Sequence, residues 1–321
     1  MRGEPPVGQA VPVSATSTTP LPPGLTSRPL TTGDLDAVYA VYAADEVEDS
    51  GQLAIEPEDI AGDWARPSFD LAADSIGVLA GDRVVAAAEV TRSGSRAEGA
   101  VLPEVRGRGI GSWLVEWTEQ RAASMGSSRV GQTTPDDSLP QRLLVSRGYT
   151  LGHTSWVLEL PEGRDVPERP LPAGYQLATG STVDRGRAAY EVIQEAFCEW
   201  EGRERESYDD WAATTVRRPG TQPWQLRVVE RSGDVVAASF TILDSQGSGF
   251  VHQLAVERAH RGQGLAQALL ADAFGRARDH GATRSELSTD SRTGALDLYT
   301  KVGMEVTQTW THLVTDLPRR R

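Results

Sequence analysis

The sequence predicts a mixed α/β (α+β) protein of two tandem domains, each a mixed, largely antiparallel sheet flanked by helices. Three observations predict this. The chain has 321 residues, enough for about two domains at roughly 100 to 200 residues each. It repeats itself: at an offset of 155, Arg106-Gly107-Arg108-Gly109-Ile110-Gly111 falls on Arg261-Gly262-Gln263-Gly264-Leu265-Ala266. The register then holds without a gap, through Leu114 on Leu269, Arg121 on Arg276, Arg129 on Arg284 and Leu143 on Leu298, to Gly148 on Gly303, as expected of a duplicated unit. Finally, each half reads alike: a helix, a hairpin, a strand, the glycine-rich turn and a second helix.

Taken in order, residues 1–26 are rich in Pro, Ser, Thr and Gly without apolar periodicity and are expected to form a disordered tail. A first domain over 27–160 opens with a helix from Thr32 to Asp45. A hairpin follows in which Val78-Leu79-Ala80 and Val84-Val85-Ala86-Ala87 flank Gly81-Asp82. A strand ending at Val101 leads into the glycine turn and a helix to about Met125. Pro161, Pro167, Pro170 and Pro172 mark a linker over 161–172. In the second domain, 173–321, Ala189, Val192, Ile193, Ala196 and Phe197 recur at helical spacing between Thr182 and Trp200. Leu226 to Val229 and Val235 to Ala238 flank Gly233-Asp234, and a strand ends at Val256 before the second turn and a helix to about His280.

A formal charge of −13 argues against a nucleic-acid partner. The single cysteine, Cys198, rules out an intrachain disulfide framework and an all-cysteine metal site, and fits a reducing, cytoplasmic location. No apolar run approaches the roughly 18 residues of a membrane span, so no membrane partner is expected.

Each glycine turn joins a strand to a helix N-terminus. Glycines and Ala266 let a ligand approach the backbone, while unpaired amides and the positive end of the helix favour phosphate oxygens. No Lys-Ser/Thr follows Gly264, and no third glycine completes a dinucleotide fingerprint. The pattern Arg-x-x-Gly-x-Gly/Ala after a strand, with Leu298-Tyr299-Thr300-Lys301-Val302-Gly303 later on, resembles the GNAT N-acetyltransferase superfamily. Two such domains in tandem are similar in layout to mycothiol synthase, with no motif specific to that enzyme.

The resemblance implies acetyl-CoA as cosubstrate. In the second half it would be held by the backbone from Arg261 to Gln267 (Arg261, Gly262, Gln263, Gly264, Leu265, Ala266, Gln267), with Leu254, Ala255 and Val256 along the pantetheine. Ser291 stands where the family often has Asn. Arg106, Gly107, Gly109 and Gly111 keep the same capacity in the first half.

Thioester aminolysis needs a neutral amine at the carbonyl, a stabilised oxyanion and a proton for the departing thiolate. The resemblance makes Tyr299 the proton donor; its counterpart Leu144 cannot donate. His252, two residues before Leu254, is the candidate base, standing opposite Ala97, and Glu98 is an alternative in the first half. Catalysis is accordingly expected in the second half, with the first as a non-catalytic relative. Between the first helix of the second domain and its sheet, aromatics alternate with acids. Phe197, Glu199 and Trp200 there are the expected contacts for a small, cationic amine acceptor. A non-catalytic acyl-CoA-binding module and a transferase of another acyl group are the competing functions.

Overall fold

The structure, a computed structural model, describes residues 19–200 and 203–318. The expected tail therefore lies outside the described residues from 1 to 18, whereas Leu25 and Thr26 already belong to the first strand.

The first half contains β1 (Leu25–Arg28), α1 (Leu35–Ser50), α2 (Pro57–Trp64), α3 (Leu71–Asp74), β2 (Ser75–Ala80), β3 (Arg83–Thr91), β4 (Arg96–Val101), α4 (Ile110–Ser124), β5 (Arg129–Pro135), α5 (Leu139–Ser146) and β6 (Thr150–Glu159). The second contains β7 (Tyr175–Thr179), α6 (Val183–Phe197), α7 (Tyr208–Thr214), β8 (Leu226–Arg231), β9 (Asp234–Leu243), β10 (Ser248–Val256), α8 (Leu265–Asp279), β11 (Arg284–Asp290), α9 (Leu296–Lys301) and β12 (Glu305–Asp316). Local chemistry explains the helix starts. Thr182 caps α6 by accepting from the Arg185 amide, and Ser138 caps α5 through the Gln141 amide. Pro57 opens α2 behind a capping box between Glu56 and Asp59.

All the strands join one sheet in the order β1-β2-β3-β4-β5-β12-β6-β11-β10-β9-β8-β7. Neighbours run antiparallel except at β4/β5 and β10/β11. These parallel pairs are the ones bridged by α4 and α8, as a helical crossover requires. Both open into a wedge. β4 and β5 share only the Arg96–Gly131 pairing, and β10 leaves β11 after Val251, where its register against β9 shifts at His252.

The centre of the sheet is exchanged between the halves. β12, from the C-terminal end, pairs with β5, while β6, from the first half, pairs with β11. The cores follow: Leu158 of β6 packs with Phe274, Leu287 and Tyr299, and Leu313 and Leu317 pack with Trp117 and Val130. Where β6 meets β12, His153 stacks on His312 at 4.4 Å. Gly131 leaves the room for that ring, since a Cβ there would collide with the His312 imidazole.

Candidate active site

Both glycine turns are built the same way. Gly107 and Gly109 have φ of 76° and 88°, and Gly262 and Gly264 have 75° and 86°, a region that side-chain-bearing residues resist. Gly109 and Gly264 are the N-cap residues of α4 and α8, and neither helix start has a side-chain cap. The first amides of each helix therefore keep their hydrogen-bonding capacity for an anion.

The arginines at the head of each turn brace it. Arg106 Nε donates to the Val101 carbonyl at 3.2 Å, and its terminal nitrogens bond Asp45 and Asp49 at 2.7 Å. Arg261 repeats this with the Val256 carbonyl at 3.0 Å and a two-pronged pair to Glu199 at 2.8 Å. Glu199, expected beside a cationic acceptor, is thus engaged by the second turn. The guanidinium charges are spent on carboxylates, and main-chain groups are left to face a ligand.

The two turns differ in access. A cavity of about 440 Å³ lies against the first, lined by Gly107, Gly109 and Gly111 of the turn, Ala88, Gly99 and Val101 of the strands, and Leu139, Leu143 and Leu144 of α5. At the second turn the connection between the halves lies across α8. A Cβ on Gly264 would collide with the Arg169 side chain. Gln267 Nε2 donates to the Pro167 carbonyl at 2.7 Å, and the Tyr175 hydroxyl donates to Gln263 at 3.0 Å. Arg278 pairs with Asp165 at 2.7 Å. Leu254 and Val256 pack with Leu265 and Leu269, while Ala255 is buried on the α6 side. Ala266 is half-buried in the first turn of α8. The Ser291 hydroxyl accepts from the Thr154 amide at 3.3 Å, joining it to β6.

Among the proton-transfer candidates, Tyr299 sits in the second core, and burial pushes its phenol up to about 12. It keeps its proton throughout the neutral range. His252 lines a different cavity, of about 920 Å³, lined by residues of both halves. Desolvation pushes its imidazole down to about 4, so it is neutral at pH 7. Phe197 and Trp200 line the same cavity, stacked at 4.6 Å.

In the first half, Glu98 of β4 stands directly across from Glu89 of β3. Arg96, 2.6 Å from Glu98, holds that carboxyl below its ordinary value. Burial pushes Glu89 up to about 8 even though it accepts from Trp64 Nε1 at 2.7 Å. Sequence reasoning passed over Glu89. Its signal was present: it is the one charged residue within Val84-Val85-Ala86-Ala87-Ala88-Glu89-Val90.

The model of the Acetyltransferase (GNAT) family matches residues 38–149 and 187–304. No curated protein matches the chain in sequence. A GCN5-related N-acetyltransferase from Sphaerobacter thermophilus is similar over 92% of this chain and 97% of its own, at 27% identity and a TM-score of 0.71. A tandem GNAT protein of the clavulanic acid biosynthesis pathway matches 92% of this chain and 100% of its own, at 19% identity and a TM-score of 0.72. The fold is shared further with Saccharomyces cerevisiae N-myristoyltransferase with bound myristoyl-CoA, at 13% identity, a TM-score of 0.68 and coverage of 98% and 86%.

Proposed function

The chain belongs to the GNAT acetyltransferase family and is an acyltransferase; on that premise we propose that it moves the acetyl group of acetyl-CoA to the amine of a small molecule, with the donor seated in its first half. The observation that carries this reading is the open cavity between the uncapped turn of Gly107 to Gly111 and the wedge of β4 and β5.

The wedge also supplies polar groups. The Val101 amide points away from β3, because it donates to Asp45 at 3.0 Å. By the alternation of an antiparallel ladder, the Gly99 amide points the same way, toward the thioester. There it can stabilise the oxyanion that forms when the amine attacks. A free amine is an ammonium ion at neutral pH, and the ionised Glu98 is the acceptor for its surplus proton. Glu89, holding its own proton, prevents two charges from meeting across the ladder. The N–C bond forms, the C–S bond breaks, and the second proton of the attacking nitrogen passes through water in the open cavity to the departing thiolate.

A second reading places the reaction in the second half, with Tyr299 as general acid and His252 orienting the amine. The protonated phenol favours it. It requires Arg169 to leave Gly264 before the pyrophosphate can enter. Gly109→Val and Gly264→Val in the full chain separate the two, read by calorimetry with acetyl-CoA and by free-thiol release over an amine panel. We expect Gly109→Val to abolish both signals and Gly264→Val to spare turnover; the reverse pattern would transfer the chemistry to the second half. In that event Tyr299→Phe should lower kcat about 100-fold at unchanged stability, near the lower end for a general acid. A panel of longer acyl-CoA donors tests the choice of acetyl.

A further inference from the structure

The cavity between the halves is lined by eight arginines. Six are matched: Arg96 with Glu98, Arg66 with Glu206, Arg218 with Asp59, Arg292 with Asp290, and two more with Asp316 and Glu286. Arg92 and Arg203 are the remaining two, and neither has a carboxylate partner among the described residues. Glu206, the carboxylate whose charge acts on Arg203, is committed to Arg66 at 2.7 Å. Among the described residues the Arg203 Nε is buried without a hydrogen-bond partner, and its guanidinium lies over the Phe197 ring at 5.5 Å.

Arg92 is held in a costly backbone shape. It and Ser93 have φ of 52° and 53°, two successive non-glycine residues in the left-handed region, which residues with a Cβ resist. That turn joins β3 to β4 and delivers Arg92 to the cavity wall. The two cations are neighbours there: desolvation by the cavity walls, then the nearby charges of Arg203 and Arg96, push Arg92 down to about 10. Arg92 in turn helps hold Glu98 ionised. A pair of unmatched guanidiniums is therefore within electrostatic reach of the group that receives the amine's proton.

The protein's net charge of −13 repels anions from its surface. An unmatched cationic pair inside it is a local exception, and two forked donors suit a carboxylate. We propose that the acceptor is an amine that also carries a carboxylate, bound between Arg92 and Arg203 with its amine toward Glu98. This rests on the reading that the first half is the transferase centre, and it narrows the acceptor from amines in general to amino-acid-like zwitterions.

The test compares the same amine with and without its acid: β-alanine, γ-aminobutyrate and lysine against their primary carboxamides. Turnover with acetyl-CoA gives kcat/KM, and calorimetry without acetyl-CoA gives binding independently of chemistry. One charge-assisted hydrogen bond is worth about 1.5 to 3 kcal/mol, so at least one acid should exceed its amide by roughly 10- to 100-fold in both readouts. In Arg92→Gln and in Arg203→Gln that ratio should fall toward one, with Arg92→Lys intermediate. Arg92 is exposed to the cavity, so its replacement leaves the core intact, and thermal melts check the fold. Acid binding that is lost in Arg92→Gln supports the site even if no acetyl transfer is seen. The proposal is overturned if no acid of the panel binds, if amides equal acids, or if both variants lower acids and amides alike.

Discussion

Glu89→Gln should make the protein more stable at pH 8 and no more stable at pH 5. In the folded chain Glu89 keeps its proton to about 8, against an ordinary value of 4.5, because it is buried beside Glu98 and receives only the Trp64 donor. In the unfolded chain it ionises in water. Between those values the unfolded state binds fewer protons, so this group's contribution to stability is complete below 4.5 and disappears as pH rises to about 8. At about 1.4 kcal/mol per unit, the whole displacement is worth at most about 5 kcal/mol. Glutamine cannot ionise, and its amide oxygen still accepts from Trp64. Urea denaturation of wild type and variant at pH 5 and pH 8 isolates the term, because all other titrating groups are common to both. We expect a gain of about 3 to 5 kcal/mol at the higher pH, roughly 6 to 10 °C in Tm at about 2 °C per kcal/mol. Turnover at neutral pH should be kept, since glutamine, like the protonated acid, places no second charge opposite Glu98. No gain at pH 8, or an equal gain at both pH values, would refute the burial argument.

The bracing arginines should differ in weight. Arg106 and its partner Asp49 are 17% and 7% exposed, Arg261 and Glu199 42% and 40%. Arg106→Ala should cost about 3 kcal/mol by stranding buried carboxylates and Arg261→Ala less than about 1, measured by chemical denaturation; equal costs would contradict the burial difference. A fragment of residues 165–321 should aggregate, because it lacks β6 and leaves β11 open from Glu286 to Asp290. A soluble, monomeric fragment seen by light scattering would refute this. Leu158→Ala, although in the first half, should cost about 2 to 5 kcal/mol through the core around Phe274.

Local features were legible in the sequence. The helix expected from Thr182 forms as α6 because its cap and apolar spacing are both local. The hairpins at Gly81 and Gly233 form where expected, with both glycines at positive φ. The matched runs after Arg106 and Arg261 became two turns with the same angles. What escaped is what depends on distant partners. Nothing in Thr150 to Glu159 distinguishes β5 from β11 as its neighbour; the path of the connecting segment decides it. Arg169 reads as one charge in a proline-rich linker until that linker is laid across α8. Glu199 reads as a free acid until Arg261 is brought beside it. Glu89 alone could have been caught, as a carboxylate that no apolar strand tolerates without a reason.

The exchanged strands also set a timetable for synthesis. Gly131 of β5 meets Val314 of β12 across more than half the chain. At about 5 to 20 residues per second, the ribosome needs on the order of 10 to 40 s to make the intervening stretch. Throughout that interval the nascent first half holds α4 and its glycine turn but has an open edge at β5, and its wedge cannot be held to its final width. The protein therefore leaves the ribosome as a single late-closing unit, with sequence-distant pairings that make folding slow. A chaperone that shelters strand edges would have its longest engagement with this segment, before the last residues of β12 arrive.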